Sequence, residues 1–377
     1  MAAVAAAETA AMLLRPRTGP ADPAPVNAAS YFSTAEIDRA RAFRRPQLRL
    51  FGAMLAVQGA VLGALVRRPP RLSPAASGAV LATALSVALL PLVAISRRRA
   101  IAVGLMTQSW RGWAADVAKS LAIGAVQGAV AGGGVTALVR RLPRSWWLAG
   151  SGVAVGVSAG FAYAGPVVLA PIFNRFTELP EGPVRSDVLE LAARAGVDVG
   201  RILEVDGSRR TTMANAYVTG LGPTKRVVLY DTLLRDFTRA ETRLVVAHEL
   251  AHVRHRDVPR GLLFLAIVAP PAAYAVVQLT GPAPSLPALL AAAAAVSAPI
   301  GIVGNGLSRA IERRCDAEAV QATGDGGAFV EFHRRIALKN LADPDPPRFK
   351  QLLLGTHPTT VERIALALAI DRSPGGS

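Results

Sequence analysis

Along the chain, apolar positions gather into six long uncharged stretches separated by basic clusters. The stretches run from Leu50 to Val66, Pro74 to Ile95, Ser120 to Val139, Trp146 to Phe173, Gly261 to Thr280 and Ser285 to Leu307. Most approach the roughly 20 residues that a helix needs to cross a hydrocarbon layer of about 30 Å. The fourth is long, and Pro166 and Pro171 predict a bend in it. Polar sequence concentrates in two blocks, 174–260 and 308–377, with two apolar stretches between them. An even number of crossings brings both blocks out on the same side, where they can build one site.

Within the first block "RSDVLELAARAGV" has helical spacing and "GRILEVDGS" reads as a short strand. "ANAYVTGLGPTKRVVLYDTLL" reads as two strands joined by a turn around Gly222 to Lys225. "TRAETRLVVAHELAHVRHRD" follows as a helix, with Thr238 and Glu241 at capping-box spacing. Ser33 and Glu36 have the same spacing and predict a helix start there. Residues Met1 to Ala29, rich in alanine and proline and without the basic leader of a secretory signal, are expected to form a flexible tail.

Composition agrees with this division. The chain of 377 residues is 51% hydrophobic and carries a net charge of +16. Six uncharged runs flanked by arginines argue against a large soluble core. The arginines do not form one patch interleaved with aromatic residues, so nucleic acid is excluded as the partner and a lipid bilayer is favoured. Arg39 to Arg49, Arg97 to Arg99, Arg111 and Lys119 lie on the amino-terminal side, against Arg67, Arg68, Arg71, Arg140, Arg141 and Arg144 opposite. That excess predicts a multi-pass protein with both termini and both polar blocks facing the cytoplasm. A single cysteine, Cys315, leaves no intramolecular disulfide to form.

One motif carries chemistry. In "VVAHELAHVRHRD" His248 and His252 lie one helical turn apart and project from one face, so two imidazoles can reach one ion. Glu249 is offset by about 100°, beside the ligands, where it can hold a water and take its proton. This is the HExxH pattern of zinc hydrolases; the bland alternative is two solvated histidines on a surface helix. A catalytic zinc wants a third protein ligand. Val258 stands where a further histidine would be placed in one variant of the pattern, and His255 would strain to share the ion from the same short helix. A carboxylate from a second helix remains, and "SRAIERRCDAEAV" offers Glu312 with Asp316 one turn on. Asp316 could then accept the other ring N–H of a ligand histidine. Alternatively, both are solvated charges among Arg309, Arg313 and Arg314.

HELAH at 248–252 followed by SRxxExxxD at 308–316 resembles the integral-membrane zinc proteases typified by the CAAX prenyl endopeptidase that matures yeast a-factor. "APIFNRFTELPEG", "VDGSRRTTMANAYVTGLGPTKRVVLYDTLL" and "GTHPTTVERIALAL" extend the resemblance from Tyr31 to about Ile370. The bacterial heat-shock membrane protease is a relative with the same motifs. The resemblance implies one Zn2+ per chain, held by His248, His252 and Glu312, with Glu249 as general base. It assigns Asp316 a supporting or proton-donor role and His357 the stabilisation of an oxyanion, with Arg363 nearby. Asn215 and Ala216 match the strand along which substrate lies. Eukaryotic members have seven spanning helices, and here the first is replaced by the tail; Cys315 and Thr359 also depart from the usual residues.

The expected fold is therefore mainly α: a polytopic helical bundle of about six transmembrane helices with a cytoplasmic, zincin-like α+β catalytic domain carrying a small β-sheet. The expected divisions are an amino-terminal tail and short helix (1–46), four membrane helices (47–173), the HExxH block (174–260), two more membrane helices (261–307), and the block carrying the third ligand (308–377). The expected activity is a zinc metalloendopeptidase acting on a peptide or protein, with or without an attached lipid. A membrane-protein quality-control protease and a non-catalytic zinc-containing scaffold are the alternatives. The sequence gives no oligomeric state.

Overall fold

The computed structural model describes residues 1–17, 23–281 and 284–372. It begins with α1 (Ala2–Leu14), then four long helices: α2 (Thr34–Arg67), α3 (Pro74–Ala102), α4 (Trp110–Arg141) and α5 (Trp146–Val168). A short α6 (Ala170–Phe173) leads into β1 (Phe176–Glu178), α7 (Pro183–Ala195), β2 (Arg201–Val205), β3 (Ala216–Thr219) and β4 (Arg226–Tyr230). Helices α8 (Asp231–Asp236), α9 (Arg239–Arg254), α10 (Asp257–Thr280) and α11 (Leu286–Thr323) follow. The chain closes with α12 (Gly326–Lys339), α13 (Arg348–Leu354) and α14 (Thr360–Asp371).

Among the described residues, six helices are long and apolar enough to cross a membrane: α2, α3, α4, α5, α10 and α11. They coincide with the six stretches read from the sequence, and two run well beyond them. α2 starts at a capping box in which Ser33 accepts from Glu36 N and passes through Pro46 into its apolar part. α11 has 38 residues, about 57 Å at 1.5 Å per residue, so it continues past the membrane and carries Glu312 and Asp316 into the polar region. The predicted bend after α5 is a break at Leu169, three residues past Pro166.

α3 and α4 touch backbone to backbone. A Cβ added at Gly128 would collide with the Gly78 carbonyl, and one at Gly132 with that of Pro74. Small residues let membrane helices approach this closely, so that packing replaces the missing hydrophobic drive.

The first residues correct the expectation of a flexible tail. Ala2–Leu14 is a helix whose Ala3, Ala7 and Ala10 are buried, with Ala7 and Ala10 packed on Val268 and Phe264 of α10 and on Val303 of α11. Alanine has the highest helix propensity, and its repeat at one turn makes a flat face that fits between two helices. Residues 18–22 of the expected tail lie outside the described residues.

The sheet has the order β1-β2-β4-β3, with β2 and β4 parallel and the outer pairs antiparallel. β3 and β4 form the hairpin predicted from the sequence, turning over a short helical turn at Gly222–Thr224. Gly220 enters that turn at φ +92°, where a side chain would strike Thr224. The sheet, α7, α9 and α12 share one core around Val188, Leu229, Leu244, Leu250 and Phe329. Among the described residues no strand pairs with the outer edge of β3, and that edge faces α9.

Gly128→Ala should destabilise the protein by about 1–3 kcal/mol through overpacking, whereas Gly124→Ala, with open space around it, should not. Thermal unfolding in detergent distinguishes them; equal melting temperatures would contradict the close α3–α4 packing.

Candidate metal centre

α9 begins with a capping box, Thr238 accepting from Glu241 N and Glu241 from Thr238 N. Burial of Leu244, Val246, Ala247 and Leu250 fixes its rotation about its axis and turns His248 and His252 toward α11. Their Nε2 atoms lie 3.2 Å apart. Glu312 completes the group: Oε2 is 3.3 Å from His248 Nε2 and Oε1 is 3.5 Å from His252 Nε2.

These spacings test whether a metal fits. A tetrahedral ion with bonds of about 2.05 Å separates its ligand atoms by about 3.4 Å, which is what the three donors show. Two imidazoles and a carboxylate are also a donor set that zinc accepts. Burial works against a charge on His248, yet the Asp316 and Glu312 carboxylates push its imidazole up to about 10. The pocket favours positive charge, which a bound cation would supply.

The other ring nitrogens point outward to carboxylates. His248 Nδ1 lies 3.0 Å from Asp316 Oδ1, and His252 Nδ1 lies 2.9 Å from Asp257 Oδ2. Each contact holds the Nδ1 proton and leaves the Nε2 lone pair facing the centre, which is how ligand histidines are oriented. Asp316 is fully buried, and Arg363 braces it, with Nε 3.2 Å from Oδ2; Nη2 of the same guanidinium donates to Glu312 Oε2 at 3.0 Å. Arg363 is thus committed to the two carboxylates of α11. Arg314 Nη2 in turn donates to Asp257 Oδ2 at 2.5 Å.

Glu249 lies beside the triad and accepts a hydrogen bond from Val218 N on the open edge of β3 at 3.1 Å. Burial raises its carboxyl above the ordinary range, against the pull of His248 and His252. His357 Nε2 is 3.3 Å from Glu312 Oε2, and its Nδ1 is 2.8 Å from Thr356 Oγ1. Asn215, just before β3, and Ala216, its first residue, line the cavity of about 160 Å³ that His248, Glu249, His357 and Arg363 also line. All nine residues singled out from the sequence therefore gather around one centre. His255 does not join them; it lies 2.5 Å from Glu318 Oε1. A second possible donor group, His252 with Asp257 and Cys315, shares one histidine with the first.

Residues 178–371, just over half of the chain, match the profile of peptidase family M48. The chain belongs to peptidase family M48. Residues 102–175 match a region described as the CAAX prenyl protease N-terminal, five membrane helices, and with the six long apolar helices this makes the M48 chain a multi-pass integral membrane protein. It is similar to the uncharacterized metalloprotease YhfN of Bacillus subtilis, 30% identical over 253 residues, covering 63% of this chain and 59% of the relative. It is also similar to CAAX prenyl protease 1 of Saccharomyces cerevisiae, 39% identical over 100 residues, covering 26% of this chain and 22% of that one. The matches thus span about three-fifths of the first relative and about a fifth of the second. The fold matches the crystal structure of S. mikatae Ste24p with a TM-score of 0.74, at 20% identity, over 97% of this chain and 94% of that one.

Asp257 is the member of this M48 centre that sequence reasoning missed. It lies past a break at Arg256, whose φ of +53° ends the periodicity of α9. Helical spacing therefore gave no reason to place it under His252. Asp257→Asn should weaken zinc binding about 10–100-fold, read by competition with a chromophoric chelator. Unchanged affinity would mean that His252 is oriented by something else.

Proposed function

We infer that the protein is a zinc-dependent endopeptidase within the membrane, its centre facing the cytoplasm, with His248, His252 and Glu312 as zinc ligands and Glu249 as general base. The observation that carries this reading is the spacing of the three donor atoms, drawn from two helices and matched to one tetrahedral ion. The polar blocks 174–260 and 308–377 are read as the two halves of the catalytic unit, and the basic flanks support the cytoplasmic orientation. Bound zinc would polarise a peptide carbonyl and make water acidic enough to attack it.

The chain's own groups would do the rest. Val218 N–H holds one oxygen of Glu249, which leaves the other to take a proton from water and deliver it to the departing amine. Thr356 can donate to His357 Nδ1, which places the ring proton on Nε2, where it stabilises negative charge on the attacked carbonyl oxygen. The open edge of β3, beginning at Asn215 and Ala216, would receive an extended peptide through main-chain hydrogen bonds. Asp316 and Arg363 would hold His248 and Glu312 in place. Three protein donors, where a structural zinc site uses four, favour an enzyme over a scaffold.

Relatives named CAAX prenyl protease support a peptide substrate near a lipid-modified carboxyl terminus. Membrane-protein quality control is the competing substrate class. Glu249→Gln should keep its zinc and lose peptide cleavage by several orders of magnitude, whereas Glu312→Ala should lose the zinc itself; retained cleavage by Glu249→Gln would remove the proposed base. Faster cleavage of a farnesylated peptide than of its unmodified twin supports the first substrate class, and equal rates support the second.

A further inference from the structure

α13 is a seven-residue helix that exposes four large apolar side chains, Phe349, Leu352, Leu353 and Leu354. Its backbone is fastened to α11 at two places. Asn305 Nδ2 donates to Leu353 O at 2.9 Å, and Arg309 Nη1 donates to Gln351 O at 3.2 Å and to Gly355 O at 2.5 Å. Asn305 and Arg309 stand where the uncharged stretch of α11 gives way to charge. On its other side α13 borders a cavity of about 560 Å³ whose opposite wall includes Arg45 and Leu48 of α2. These two residues immediately precede the apolar run of α2. Two spanning helices therefore meet α13 at the depth where their charged flanks begin, which is the headgroup level.

Part of the positive charge at that level is uncompensated. Arg41 pairs with Asp343 at 3.4 Å, and Arg44 donates to the carbonyls of Asn340 and Leu341. Arg45, Arg348 and Lys350 have no acidic partner among the described residues, and Asp345 is the other carboxylate on the cavity wall. An apolar face bordered by free cations at headgroup depth fits an anionic lipid surface, the apolar side chains entering the acyl boundary and the cations meeting phosphate.

We propose that α13 is an interfacial foot docked on the anionic leaflet of the bilayer. The foot has a route to the centre: Gln351 Nε2 donates to His357 O at 2.6 Å, so the seating of α13 sets the segment that carries His357. That consequence rests on the role proposed for His357; the docking does not.

The test places a fluorophore at Leu352→Cys in the full-length protein in nanodiscs, Cys315 being fully buried, and at Leu189→Cys on the exposed face of α7 as reference. Lipid-borne nitroxides should quench the label at 352 and leave that at 189 bright, in Glu249→Gln as well as in the active protein. Replacing phosphatidylglycerol by phosphatidylcholine should weaken the quenching. Arg348→Gln and Lys350→Gln should each raise the phosphatidylglycerol fraction needed for half-maximal quenching about fivefold. Quenching at 352 no stronger than at 189, or independent of lipid charge, would overturn the proposal. So would shielding that grows with protein concentration in detergent, which would make the occupant a second copy of the chain.

Discussion

Everything at the centre depends on bringing one carboxylate of α11 within about a tetrahedral edge of two imidazoles of α9. The sequence separates these groups by a hairpin, α10 and the apolar part of α11, so their meeting is a long-range contact. The hairpin leaves the polar side and returns to it. α11 then continues as one unbroken helix from the apolar region into the polar one, so the seating of its apolar part also sets the height of Glu312.

Three like-minded acceptors in a small pocket do not hold themselves together. Neutral Nε2 atoms at 3.2 Å repel when both present lone pairs, and a buried carboxylate is costly without a cation. The surrounding groups offset this in two layers. Asp316 and Asp257 accept hydrogen bonds from the outward ring N–H groups, while Arg363 and Arg314 neutralise those carboxylates from behind. This leaves an inward-facing set of lone pairs with a net demand for positive charge. Glu249 stands outside the set, tied to the edge strand by Val218 N, and that separation would let a residue adjacent in sequence to a proposed ligand do a different task.

The helices were legible because their signals are local. The uncharged runs gave the six long apolar helices, and the capping boxes at Ser33 and Thr238 gave two helix starts. The spacing of His248 and His252 gave the shared face, and the pairing of Glu312 with Asp316 gave the second helix. What the sequence hid was long-range or depended on packing. Asp257 reaches His252 only because Arg256 breaks the helix, and β1 is three residues whose partner is supplied by β2. The amino-terminal helix was misread because alanine and proline suggest a loose tail. Its stability as a packed element comes from a groove between α10 and α11 that no local pattern announces. Arg363, expected beside substrate, lines the cavity and also binds Glu312 and Asp316, contacts that no local pattern announces.

Glu312 and Cys315 are the two candidates to complete a donor set with the imidazoles, since His252 is grouped with His248 and Glu312 in one cluster and with Asp257 and the thiol in another. X-ray absorption at the zinc edge of the purified, zinc-loaded protein separates the two. Ligation by His248, His252 and Glu312 predicts only nitrogen and oxygen neighbours at about 2.0–2.2 Å, with the scattering pattern of two imidazoles. A sulfur shell at about 2.3 Å would contradict it.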